Sequence, residues 1–203
     1  NNANSIIENN VIKIHGFESS LGGIYSDDST ILSNTITLQN DRDCDWCDCM
    51  DFFTGIRSNR SNIQNNLISM LILSNDANDN FQVGIESYGQ ENNRSTITDN
   101  IITINKQTKG IWASHADIEN NVIDTPDFNG CCDIQSSWGI GHGDNNLIQN
   151  NTINAYSGID ISDKKNNTIN NNNITSRWMA INGESAENLS ITNNIINSND
   201  SGS

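Results

Sequence analysis

The chain has a single proline, Pro126, little aromatic content at 6%, and only ten basic residues against twenty-five acidic ones. No run of about eighteen apolar residues occurs; the longest local patch, in SMLILS, is far too short to cross a membrane as a helix. The formal net charge of −15 leaves no basic stripe to follow a phosphate backbone, so nucleic acid is excluded as a partner. Such a balance suits a surface protein or a cation binder. Methionine does not stand first, Asn1 does, which implies processing or a cut from something longer. Hydrophobic residues make up only 34%, and roughly one residue in five is Asn. Taken alone, that composition describes a disordered polar chain. The placement of isoleucine argues otherwise.

The pattern Ile-x-x-Asn-x-Ile appears eight times among the 203 residues. Its asparagines are Asn10, Asn34, Asn66, Asn100, Asn121, Asn151, Asn172 and Asn194. Between successive copies a small residue precedes Ile: Gly23-Ile24, Gly55-Ile56, Gly84-Ile85, Gly110-Ile111, Gly139-Ile140, Gly158-Ile159 and Ala180-Ile181. The period runs from about 21 to about 34 residues. That is short for a helical-hairpin repeat, and the framework of a leucine-rich repeat is absent. Apolar residues alternate, as at Ile12 and Ile14 or Ile102 and Ile104, which marks strands. Three short strands per coil, with coils stacked along an axis and each strand parallel to its equivalent about 4.8 Å away, satisfy the pattern. The repeat Asn is then expected at the bend between two strands, in the left-handed region, with its amide bonded to the amides above and below.

On these residues the chain resembles right-handed parallel β-helices with pectate-lyase-type repeats, found in polysaccharide lyases, epimerases and many bacterial and archaeal surface proteins. The resemblance spans nearly all of residues 1–203. It implies an all-β, single-stranded solenoid of about eight coils, a single domain over residues 1–203, with long loops on one corner. It also implies a cleft on the strand that follows those loops, which here begins at Gly-Ile. The scaffold itself carries many functions.

Outward positions after each Gly-Ile are Tyr25, Arg57, Glu86, Trp112, Gly141, Asp160 and Asn182. The next row is Asp27, Asn59, Tyr88, Ser114, Gly143, Ser162 and Glu184. Tyr25, Tyr88, Trp112 and Asp160 are the candidate carbohydrate contacts. In a lyase, Arg57 is the candidate base and Glu86 or Asp27 the holder of a bridging cation. The same rows also describe an ordinary solvated sheet face. His15, His115 and His142 lack metal-ligand spacing, and His142 falls in an inward column with Ser26, Ser58, Ser87 and Ala113.

Five cysteines, Cys44, Cys47, Cys49, Cys131 and Cys132, fall in two insertions of the same corner. A disulfide-stapled corner is the leading expectation, and thiolate metal binding the next. Five is odd, leaving one thiol over. Asp41, Asp43, Asp45, Asp48 and Asp51 offer a Ca²⁺ site without EF-hand spacing. Sequons begin at Asn59, Asn93, Asn150, Asn166, Asn173, Asn188 and Asn199, which fits an extracellular or cell-surface glycoprotein.

One outward column is apolar at five of eight places: Val11, Thr35, Leu67, Ile101, Val122, Thr152, Asn173 and Ile195. It suggests a lateral contact stripe. The chain shows no capping segment at either end. About nineteen residues separate Asn194 from Asn10 of a following copy, close to one repeat, so head-to-tail stacking is expected to stay nearly in phase. The first expectation for function is therefore an extracellular structural protein, a β-helix subunit of a filament, sheath or surface layer, without strong catalysis. The alternative is a polysaccharide-active enzyme (lyase, epimerase or glycosidase) or a carbohydrate-binding module using the Gly-Ile face.

Overall fold

The computed structural model describes residues 4–16, 20–40, 52–72, 81–105, 108–125, 138–141 and 143–198. Among the described residues there is no helix, and every strand ladder is parallel. The strands fall into three sheets stacked in chain order. The first runs in eight strands from Ser5–Glu8 to Ser190–Thr192. The second runs in eight from Val11–Gly16 to Ile195–Ser198, and the third in seven from Ser20–Tyr25 to Ile181–Asn182. One coil shows the plan: Ser95–Thr98, Ile101–Ile104, then Lys109–Ser114, one strand in each sheet. This is the parallel β-helix that the repeat predicts.

Isoleucine fills the axis because each coil offers a narrow interior and a two-residue side-chain period. Ile31, Ile63, Ile97, Ile118, Ile148 and Ile169 are fully buried from the first sheet, and Ile36, Ile68, Ile102 and Ile174 from the second. The third sheet adds Ile56, Ile85, Ile111 and Ile159. Register holds these columns together, as in Ile97 opposite Ile118 and Ile102 opposite Ile123.

The repeat asparagines form the expected ladder. Asn121 donates Nδ2 to Asn151 Oδ1 at 3.0 Å, and its own Oδ1 accepts from Asn100 Nδ2 at 3.0 Å. The same links run from Asn10 to Asn194. One expectation is corrected. The left-handed residue at this bend is not the ladder Asn but its predecessor: Asn9, Ser33, Asn65, Asp99, Asn120, Asn150, Asn171 and Asn193 have φ between 54° and 58°. The positive-φ residue turns the chain, and the residue after it is thereby aimed inward, where its amide bonds along the axis. Asn and Asp suit that bend because their short polar side chains tolerate the left-handed region.

A second, mixed ladder occupies the corner that enters the first sheet. Ser29 N–H donates to Ser61 Oγ at 3.0 Å, Ala116 N–H to Asn146 Oδ1 at 3.1 Å, and Asn146 N–H to Asn167 Oδ1 at 2.9 Å. The glycine before each third-sheet Ile has a different cause. A Cβ placed on Gly55, Gly84, Gly110 or Gly139 would stand 2.5 to 2.9 Å from the carbonyl oxygen of the next glycine in the column. Backbones approach too closely there for any side chain.

Candidate functional site

The third-sheet strands follow the variable corner, and pairing sets their outer column one residue per coil. Tyr25 lies opposite Arg57, Arg57 opposite Glu86, Glu86 opposite Trp112, Trp112 opposite Gly141, Gly141 opposite Asp160 and Asp160 opposite Asn182. Tyr88 pairs with Ser114 in the next outward row. Most of the carbohydrate candidates therefore share one face, with Tyr25 two strands beyond Glu86.

Arg57, at 55% side-chain exposure, sets its Nε 3.5 Å from Glu86 Oε2. Glu86 is also a hydrogen-bond partner of Tyr88, whose hydroxyl interacts with the Trp112 side chain as well. Burial, the Glu86 charge and the bond to Glu86 push the Tyr88 phenol up to about 12, so it stays protonated as a donor. Asp160 Oδ1 accepts from Ser162 Oγ at 2.8 Å and from Asn182 Nδ2 at 3.1 Å. Glu86 and Asp160 are three strands apart, about 14 Å between Cα atoms.

Lys109 joins this group and was not among the residues singled out from sequence. It sits in the short link INKQTKGI and reads there as part of a turn. The signal was its fixed place, one before the column glycine: it pairs with Val83 on one side and Trp138 on the other. Lys109 is 8% exposed, and its Nζ lies 3.2 Å from the Trp112 ring centroid. Burial pushes the ammonium down to about 8, opposed by the charges of Asp160 and Glu86.

Asp27 stands apart from Glu86. It lies on the first coil, two strands away, and its Oδ1 accepts the Asn59 N–H at 3.0 Å. Its neighbour Asp28 binds Arg60 through both oxygens at 2.7 and 2.6 Å, which holds that carboxyl below its usual range. Among the described residues no cluster of His, Cys, Asp and Glu has metal-site geometry. The five cysteines, the Asp41–Asp51 group, His142 and Asn199 lie outside the described residues. His115 occupies a left-handed bend, φ 50°, with Nε2 2.9 Å from Asn145 Nδ2. Of the described sequon asparagines, Asn93, Asn150, Asn166, Asn173 and Asn188 are exposed and Asn59 is half-buried.

The outer face of the second sheet carries the apolar column in register. Val11, Leu67, Ile101, Val122 and Ile195 are between 43% and 68% exposed. No helix among the described residues is long and apolar enough to cross a membrane. A scan of protein-family models finds no match to this chain, and a search of curated proteins finds none either.

Proposed function

We propose that this chain is an extracellular β-helix whose third-sheet outer face binds a glycan. The observation that carries the reading is the gathering of Arg57, Glu86, Tyr88 and Trp112 on three consecutive strands of one face, with Asp160 two strands beyond Trp112. Sugars bind to aromatic surfaces flanked by fixed hydrogen-bonding groups, and this face offers both along a straight row of strands. A row with a repeat of about 4.8 Å suits an extended polymer better than a compact small molecule. The exposed sequon asparagines fit an extracellular setting. The test is electrophoresis through gels containing soluble polysaccharides, with Trp112→Ala as the comparison. Retardation by at least one polysaccharide that Trp112→Ala abolishes, with an unchanged far-UV spectrum, is expected. Retardation by none, or retardation indifferent to Trp112, refutes the reading.

A second reading, self-association within a surface layer, is favoured by the apolar column on the second sheet. A monomer flanked by water at Val11, Leu67, Ile101, Val122 and Ile195 leaves an apolar row unpaired. Light scattering across concentration tests it: association lost in Ile101→Lys supports it, and a monomer throughout refutes it.

A further inference from the structure

The third-sheet face holds a cation of its own. Lys109 is nearly buried, although an ammonium is strongly hydrated and is normally left in water. Among the described residues, three groups offset that loss. The Trp112 ring presents its negative face to Nζ at 3.2 Å. Glu86, one strand toward the N-terminus, and Asp160, two strands the other way, act as counter-charges. An indole face with carboxylates beside it is the general chemistry for holding an ammonium group, and the net charge of −15 draws cations toward it. The lysine shows where such a group rests.

We propose that Trp112, Glu86 and Asp160 form an ammonium-binding cage, that its ligand is an amine-bearing sugar of a glycan, and that Lys109 is the built-in occupant the ligand displaces. This rests on the glycan-binding reading and narrows it to polymers with free amino groups. Displacement is cheapest while Lys109 is charged, because burial holds its ammonium below the ordinary lysine range and release to water restores the hydration it lacks beside the ring. Among the described residues, the other titratable or charged groups near Lys109 are Glu86 and Tyr88 on one neighbouring strand, Arg57 beyond them, and Asp160 on the far side. The strand between, Trp138–Gly141, brings none. Tyr88 stays protonated up to about 12, so among these groups the change between pH 7 and pH 9 comes from Lys109, which titrates at about 8.

The probe is tetramethylammonium, whose charge does not vary with pH, titrated by calorimetry against matched sodium chloride. Release returns Lys109 from about 8 to its ordinary 10.5 and so takes up a proton above pH 8, and apparent affinity should fall about tenfold from pH 7 to pH 9. In Lys109→Ala it should be tight at both pH values, and in Trp112→Ala lost at both. Lys109→Met keeps the packing and removes the charge, and should also bind without pH dependence. Binding that ignores Trp112, or a pH 7 to pH 9 fall that survives in both lysine variants, overturns the cage. So does absence of binding in folded Lys109→Ala and Lys109→Met. A second arm compares glucosamine and N-acetylglucosamine trimers on Lys109→Ala at pH 6. Preference for the free amine is expected. Equal binding of both trimers overturns the cage and leaves the glycan reading standing, whereas binding of neither, with no polysaccharide retained, overturns both.

Discussion

Asn121→Ala probes the axial amide ladder at its most enclosed point. Asn121 is fully buried, with Asn100 and Asn151 buried on either side. Its Nδ2 donates to Ile97 O at 2.8 Å, Glu119 O at 3.0 Å and Asn151 Oδ1 at 3.0 Å. Its Oδ1 accepts both the backbone N–H and the Nδ2 of Asn100. Alanine removes all of these. Asn100 Nδ2 keeps Ile63 O, and Asn151 Oδ1 keeps the Asn121 backbone N–H, but the Asn100 backbone N–H loses its acceptor. A buried orphan donor costs about 1–3 kcal/mol, and the lost bonds add about 1 kcal/mol more. The sum, about 3 kcal/mol, corresponds to a melting point lower by roughly 6–12 °C for a domain of this size. Native-state hydrogen exchange locates the effect, because the Asn100 amide should lose protection ahead of amides three coils away. Asn194→Ala, at the half-buried last rung, should cost less. An unshifted midpoint together with an Asn100 amide as protected as before would refute the ladder's energetic role.

Gly84→Ala places a methyl 2.6 Å from Gly110 O and against Ile102 Cγ2, so a loss of about 3 kcal/mol or more is expected in urea unfolding. Gly141→Ala, whose Cβ meets only atoms 3.8 Å or farther, should be nearly neutral by the same measure. Asn120→Ala puts a residue intolerant of φ 56° at the bend and should cost about 1–2 kcal/mol, whereas Asn120→Gly should cost less. Lys109 has a folded-state pKa lowered to about 8 from 10.5, so the folded protein binds fewer protons than the unfolded chain between those values. Stability should therefore rise from pH 8 toward pH 10, and Lys109→Met should remove that rise in a pH series of denaturation midpoints.

The Ile-x-x-Asn-x-Ile copies carried the architecture because two constraints coincide in each: strand alternation and an inward amide with a partner one coil away. Register followed from the same residues, which is why the outer column from Tyr25 to Asn182 was readable before any coordinates. What sequence concealed has physical reasons. The left-handed bend falls one residue earlier than expected because Asn, Ser and Asp all tolerate it, so no single letter marks Ser33 or Asp99. The second ladder is mixed, with Ser61, Asn146 and Asn167 in one accepting role, since both hydroxyls and amides satisfy a neighbouring N–H. Lys109 escaped because its meaning lies in burial against Trp112, and a lysine in a turn reads as solvated until the ring beside it is located.

The glycine column also gives the solenoid a direction. A glycine is demanded only where another coil follows on the C-terminal side, since the carbonyl that forbids Cβ belongs to that next coil. At the seventh position the column changes to Ala180, whose carbonyl still receives the Ile159 N–H at 2.9 Å. The third sheet narrows there to Ile181–Asn182. A coil laid after Ala180 in the same register would press its carbonyl onto the Ala180 methyl. Ala180 thus acts as a full stop for the third sheet, while Gly23 at the other end raises no such bar.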